Sequence, residues 1–319
     1  MNRNSLRRAI APVAVAASLA MTLAACGGQQ GAASEGAGGS VAVDGSSTVF
    51  PLSDAAAELL AGENTNINVT VGTSGTGGGF EAFCAGKTDI SNASRPIKDD
   101  EEAPLCKEAG IEFTELQVAT DALTVVVPKD FPVDCITTDQ LKTMWQPSAQ
   151  GKVTNWQQVD PSFPDADLKL FGPGTDSGTF DYFTDEINGE EGASRSDYEA
   201  SEEDNVIVEG VANTDGGLGY FGFTYYEENA DKLKALEVDS GSGCVAPSVE
   251  SAQAGEYTPL SRPLFIYVAN KSYTEKPQVQ EYVDYYIANL TEIAEAAEFI
   301  PLNEEQLGET ESTLEGINE

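Results

Sequence analysis

No histidine occurs anywhere in the 319-residue chain. Its absence removes the side chain that most often moves protons near neutral pH, and with it the Ser-His-Asp hydrolase and the imidazole-ligated metal centre. A GxSxG turn and a CxxC pair are missing too, so a secreted hydrolase or phosphatase has neither its nucleophile elbow nor a metal cluster to activate water. Basic residues are scarce, 17 Lys and Arg against 53 Asp and Glu for a net charge of −36, which excludes nucleic acid as a partner. Such a charge also opposes long-range attraction of any anion, so an anion site here must work through local donors at close range. Beyond the N-terminus there is no apolar run long enough to span a bilayer.

The first 25 residues carry a basic head (Arg3, Arg7, Arg8), an apolar centre from Ala9 to Leu23 and small residues at the end, the pattern of a secretion signal. The segment closes on Leu23-Ala24-Ala25-Cys26, which resembles the bacterial lipobox and implies that Cys26 becomes the lipid-modified first residue of the mature protein. Residues 26–40, including GGQQGAASEGAGGS, have no apolar periodicity and read as a flexible tether. The expected location is the extracytoplasmic face of a cell membrane, with the globular part outside.

With Cys26 assigned to lipid, four cysteines remain in an oxidising compartment. Three pairings are open; the favoured one is Cys84–Cys106 with Cys135–Cys244, because the first two flank a short unit and the others lie in a second one.

From Val41 strands and helices alternate: extended Val41–Val43, helical Pro51–Ala61, extended Ile67–Val71, a helix start at Gly78–Ala85, a strand end at Asp89–Ser91, a charged helical stretch through Lys107 and a strand at Ile111–Val118. The β-branched Ala122–Val127 opens a second unit, followed by helical Thr138–Trp145, extended Leu168–Phe171, helical Ser177–Ile187 and extended Leu218–Phe223. A buried-type strand at Pro263–Val268 and a helix at Gln278–Leu290 complete it. This alternation predicts a mostly parallel α/β sheet covered on both faces, in two lobes of roughly 100–150 residues. The lobes comprise 41–118 with 262–319, and 119–261, with crossovers near Gln117–Asp121 and Thr258–Arg262. Trp145 and Trp156 read as packing residues, and Gly86-Lys87-Thr88 fails as a nucleotide loop because Glu81 stands where that motif needs glycine.

Three hydroxyl- and glycine-rich strings carry the chemistry: Asp44–Phe50 (DGSSTVF), Thr73–Phe80 (TSGTGGGF) and Gly174–Phe180 (GTDSGTF). Each lies where an extended segment gives way to a helix. Unpaired N–H groups at a helix start, joined by Ser and Thr hydroxyls, make a cradle for an oxyanion.

The strings DGSSTVFPL, VGTSGTGGGF, DISNASRPI, LFGPGTDSGTFDYF and LSRPLFIYV, spread in order over nearly the whole mature chain, are similar to those of the phosphate-binding lipoproteins, PstS, of the phosphate ABC importer. The resemblance implies a two-lobed periplasmic-binding-protein-like fold, each lobe a mixed sheet flanked by helices, closing on one inorganic phosphate. It implies an ABC permease and ATPase as partners, no cofactor, no metal, no catalytic residue and a monomer. Carried onto this sequence, the phosphate-binding residues are Ser47, Thr48 and Val49 from the first loop, Ser74, Thr76 and Gly77 from the second, and Ser177, Gly178 and Thr179 from the third. Arg95 stands where some members carry aspartate, and Pro173 where they carry an arginine, so the same charge is expected from the other lobe. Asp176 is the candidate acceptor for the phosphate proton, and Arg195 a further candidate for reaching the ligand. A sensing or adhesion lipoprotein would keep the same three loops.

Changing Cys26 to Ala is expected to abolish acyl labelling and to shift the protein out of the membrane fraction, since the thioether has no other attachment point. Acyl label retained by the variant contradicts the lipobox reading.

Overall fold

A computed structural model of the chain describes residues 37–318 except Asp176; the signal segment, Cys26, the tether up to residue 36 and Asp176 lie outside the described residues. In chain order the strands are β1 Gly39–Gly45, β2 Ile67–Val71, β3 Ile90–Ala93, β4 Phe113–Pro128, β5 Cys135–Thr137, β6 Lys169–Pro173, β7 Glu199–Ser201, β8 Gly217–Gly222, β9 Leu233–Ala235, β10 Glu237–Asp239, β11 Cys244–Val245 and β12 Ser261–Ala269. The helices that matter for the site are α1 Phe50–Glu63, α2 Gly75–Cys84, α3 Ala103–Ala109, α4 Thr138–Trp145, α5 Gly178–Phe183 and α6 Asp204–Ala212.

The main sheet runs β2-β1-β3-β12-β4-β8-β6-β7, with β9 also paired to β4. Its ends are parallel, β1 with β2 and β3, and β6 with β7 and β8, but β12 and β4 run antiparallel through its middle. The sheet is therefore mixed rather than mostly parallel.

Two apolar cores divide it. One gathers Val41, Leu52, Leu116, Ala119, Leu264, Ile266 and the helix Pro277–Ala288 through Val279 and Val283. The other gathers Leu123, Val125, Trp145, Trp156, Phe183, Tyr220 and Leu260. Trp145 meets Phe183, Tyr198 and Tyr220 edge to face, a favourable ring geometry, so both tryptophans are packing residues. The chain folds in two lobes.

The local sequence accounts for these elements. Pro51 stands in the first turn of α1, where its missing N–H costs nothing. Thr137 and Gln140 close a reciprocal capping box on α4. The tether ends earlier than the expected residue 40: Ala37 donates to Glu281 and packs on the first core, and β1 begins at Gly39.

Where two strands, Ile111–Val118 and Ala122–Val127, were expected with a crossover between them, the structure has one 16-residue strand, β4. Nothing in Ala119-Thr120-Asp121 breaks an extended chain, having neither Gly nor Pro, and β12 pairs across it from Phe113 to Ala122, with one irregularity at Leu264 and Phe265, before β8 and β9 take over the pairing from Leu123 to Pro128. The first core takes Leu116–Ala119 from β4 and the second takes Leu123, so the strand passes from one lobe to the other at Thr120–Ala122. Disulfides join Cys84 to Cys106, tying α2 to α3, and Cys135 to Cys244, tying β5 to β11.

Candidate functional site

The first loop leaves β1 through Gly45, whose φ of 139° is open to glycine alone. A Cβ there would also lie 2.2 Å from the carbonyl oxygen of Asn92. Gly79 of α2 is equally constrained, since its Cβ would sit 2.5 Å from the Cα of Gly45. Backbone thus presses on backbone, and the first loop lies directly against α2.

Asp44 locks this arrangement. Its Oδ1 accepts from the backbone N–H of Gly45 at 2.8 Å and of Ser74 at 3.0 Å, joining the first loop to the second. Thr76 extends the lock to β3: its Oγ1 accepts from the Ser94 N–H at 3.2 Å and lies 3.1 Å from the Ser94 hydroxyl, which places Arg95 beside the second loop.

From the other lobe comes α5. Ser177 caps it, accepting from the Thr179 N–H at 3.2 Å, and Gly178 faces the first loop so closely that a Cβ would lie 2.9 Å from Thr48 Oγ1. The two lobes touch at this point.

Between them is a cavity of about 350 Å³. Of the expected residues, Ser47 and Thr48, Ser74, Thr76 and Gly77, Arg95, and Gly178 border it. Val49 does not; it is fully buried in the first core. Nor do Ser177, whose hydroxyl is engaged as the cap, and Thr179, which borders a second cavity.

Arg195 is elsewhere. Its guanidinium donates from Nε and Nη2 to Asp197, at 2.5 and 2.8 Å, and from Nη1 to the carbonyls of Met144 and Val153 at 3.0 Å. These bonds hold the Asp197 carboxyl down at about 2. Arg195 braces its own lobe: it is buried, with four bonds to protein acceptors, and does not border the cavity between the lobes.

Arg95 borders the cavity but is not paired with Asp99 or Asp100. Glu102, on the turn leading into α3, chelates it through Nη1 at 2.8 Å and Nη2 at 2.7 Å, and Nη1 also reaches the Pro96 carbonyl at 3.1 Å. Donating to Glu102 raises the Arg95 guanidinium above its ordinary value. Burial pulls the Glu102 carboxyl upward, yet the bonds from Arg95 and the Lys98 N–H outweigh it and hold it below the carboxylate range.

Sequence reasoning missed Arg262, at the start of β12, which also borders the cavity. It is the cross-strand partner of Asp121 in β4, donating from Nε to Oδ2 at 3.2 Å. Its Nη2 donates to Thr48 Oγ1 at 3.0 Å, and the group lies 3.5 Å over the ring of Tyr182. The signal was present, an arginine inside an otherwise apolar strand, but its partners lie 141 and 214 positions away in the chain. Missed as well were the carboxylates on the α5 side, Asp181, Asp185, Glu186 and Glu191. Burial raises Asp181 and Glu186 above their ordinary values, each with a neighbouring carboxylate adding to the shift and Arg262 opposing it.

The sequence profile of the PBP superfamily domain matches residues 30–289. The protein SphX of Synechococcus elongatus is 52% identical over 263 residues, 82% of this chain and 77% of that protein. The phosphate-binding protein PstS of Staphylococcus saprophyticus is 40% identical over 306 residues, covering 95% of this chain and 92% of its own. The chain belongs to the PstS family of the PBP superfamily. A solved structure of a possible phosphate binding protein from Planctomyces limnophilus superposes with a TM-score of 0.84 at 42% identity, over 89% of this chain and all of that one. An ABC-type phosphate transport receptor from Vibrio cholerae shares the fold, with a TM-score of 0.64 at 20% identity over 82% of this chain and 99% of its own.

This PstS-family chain has a smaller cavity of about 170 Å³ bordered by Asp121, Thr179, Asp204, Tyr225 and Glu298. Burial, with Glu298, Glu203 and Glu202 adding repulsion, pushes the Asp204 carboxyl up to about 6. A carboxyl whose folded value lies above its unfolded one, near 3.9, binds its proton more tightly in the folded state. It costs nothing below about pH 4 and costs most above about pH 6. Asp204→Asn is therefore expected to stabilise the protein by about 1–2 kcal/mol at pH 7.5, allowing for partial solvation, and by no more than about 0.5 kcal/mol at pH 4. Denaturant unfolding at the two pH values measures this; an equal effect at both contradicts it.

Proposed function

We propose that the chain binds one inorganic phosphate in the cleft between its lobes, outside the cytoplasm, and delivers it to the permease and ATPase of an ABC-type importer. The observation that carries this reading is the convergence on one cavity of hydroxyl- and glycine-rich loops from both lobes beside two arginines. Short hydroxyl side chains, glycine backbone and arginine forks suit a small tetrahedral oxyanion.

The loops of residues 41–118 with 262–319 supply Ser47, Thr48, Ser74, Thr76 and Gly77, and those of 119–261 supply Gly178. Donors on both walls are satisfied together only when the lobes are closed, so the ligand favours closure. The relatives named PstS and the shared fold support this role, and the acylated Cys26 would hold the protein at the membrane as a monomeric, non-catalytic receptor.

Calorimetry on protein stripped of endogenous phosphate tests the reading: one phosphate per chain is expected, with no turnover of p-nitrophenyl phosphate. Gly178→Ala probes the closed geometry. Alanine favours the helix, so the phosphate-free protein is expected to melt no lower than the parent. Its methyl group must displace Thr48 or hold the lobes apart, so phosphate binding is expected to weaken roughly tenfold, about 1.4 kcal/mol. A parent that binds no phosphate, or hydrolyses the ester, contradicts the proposal.

A further inference from the structure

We propose that Arg262, rather than Arg95, supplies the guanidinium that meets the bound phosphate, and that it does so from a fixed bracket spanning both lobes. The inference rests on the phosphate reading above and names the residue carrying the charge.

The two arginines differ in what they have left to give. A guanidinium has five N–H donors in a planar fork. Arg95 spends three of them, two on both oxygens of Glu102 at 2.7 and 2.8 Å, the two-point geometry that best neutralises it. Arg262 spends two, one on Asp121 at 3.2 Å and one on Thr48, and no acceptor among the described residues meets its Nη1. Its bond to Asp121 is also single and longer, 3.2 Å from Nε, against the two-point clasp of Glu102 on Arg95.

Position favours Arg262 as well. Asp121 and Arg262 face one another across β4 and β12 where both strands pass between the two cores. Thr48 belongs to the first loop and Tyr182 to α5 of the other lobe. Tyr182 cannot drift, because its hydroxyl donates to the Pro259 carbonyl at 2.6 Å, just ahead of β12. The guanidinium is thus gripped at its Nε, at one terminal nitrogen and across its face, a site preorganised for an anion.

The bond to Thr48 has a second effect. By accepting from Arg262, the Thr48 oxygen keeps its own hydrogen free to donate, and no acceptor for it exists among the described residues. Arg262 therefore aims two donors, its own Nη1 and the Thr48 hydroxyl, and it does so at the point where Gly178 of the other lobe closes on Thr48.

Removing Arg262 alone would leave Asp121 buried without its partner, so the decisive variant is the double Arg262→Gln with Asp121→Asn. Phosphate titrations at fixed ionic strength, with phosphate-free melting as the folding control, are expected to show a loss of about 30-fold or more for the double variant. Asp121→Asn alone and Arg95→Gln are expected to stay within about tenfold of the parent, and Arg262→Lys to recover only part of the loss, since a point charge cannot reproduce the fork. A folded double variant that binds within about threefold of the parent overturns the proposal. The wild-type crystal structure with phosphate needs no variant to fold: an Arg262 Nη within about 3.2 Å of a phosphate oxygen supports the assignment, and one beyond about 4.5 Å overturns it. A parent that binds no phosphate at all overturns the phosphate reading and this inference with it, whereas binding that ignores Arg262 overturns this inference alone.

Discussion

An acidic protein that takes up an anion has to succeed at short range, and we propose that this chain does so at the contact between Thr48 and Gly178. With 53 acidic residues against 17 basic ones, the field outside the cleft repels a phosphate ion. What can hold it is a set of N–H and O–H dipoles within hydrogen-bond distance, in a site from which most water is excluded and each donor counts for more. That demands two walls meeting around the ligand. A methyl group at Gly178 would lie 2.9 Å from the Thr48 hydroxyl, so the walls do meet, and they meet at the residue that Arg262 orients.

The fold serves this contact at each level. β4 and β12 run unbroken between the two cores, which fixes where the lobes join and brings Asp121 opposite Arg262. In the first lobe the site is built by close backbone approach: Gly45 and Gly79 allow the first loop and α2 to press together, and Asp44 then bonds both loops through one oxygen. That assembly supplies neutral donors. The two arginines of the cleft are each met by carboxylates, Arg95 chelated by Glu102 and Arg262 facing a buried aspartate on one side and the α5 carboxylates on the other.

Much of this was legible in the sequence because it is local. Alternating apolar strands, the helical spacing of Thr138–Trp145 and the glycine-hydroxyl strings announce themselves within ten residues or so, and strands, helices and loops lie close to where those patterns put them. Three things were not legible. The continuity of β4 depends on β12, more than a hundred residues downstream, pairing from Phe113 to Ala122 across the expected break. The place of Ser177 outside the cavity lining is not visible until the helix it caps is seen. The roles of the arginines depend on who else is near: Arg195 finds Asp197 and two carbonyls, Arg95 finds Glu102, and Arg262 finds Asp121, Thr48 and the face of Tyr182. Composition shows that arginines are rare here; only the fold decides which one has the most donors to spare.

The most direct measurement of short-range capture is the phosphate dissociation constant, with its association rate, across a range of salt. The Debye length falls from about 10 Å at 0.1 M to about 3 Å at 1 M, so salt removes the long-range field and leaves contacts in a closed cleft nearly untouched. The account predicts a dissociation constant that changes by less than about threefold between 0.1 and 1 M sodium chloride, with an association rate that rises as the repulsive field is screened. Affinity that falls tenfold or more over that range, or an association rate that drops, would mean that long-range attraction holds the ion and would contradict it.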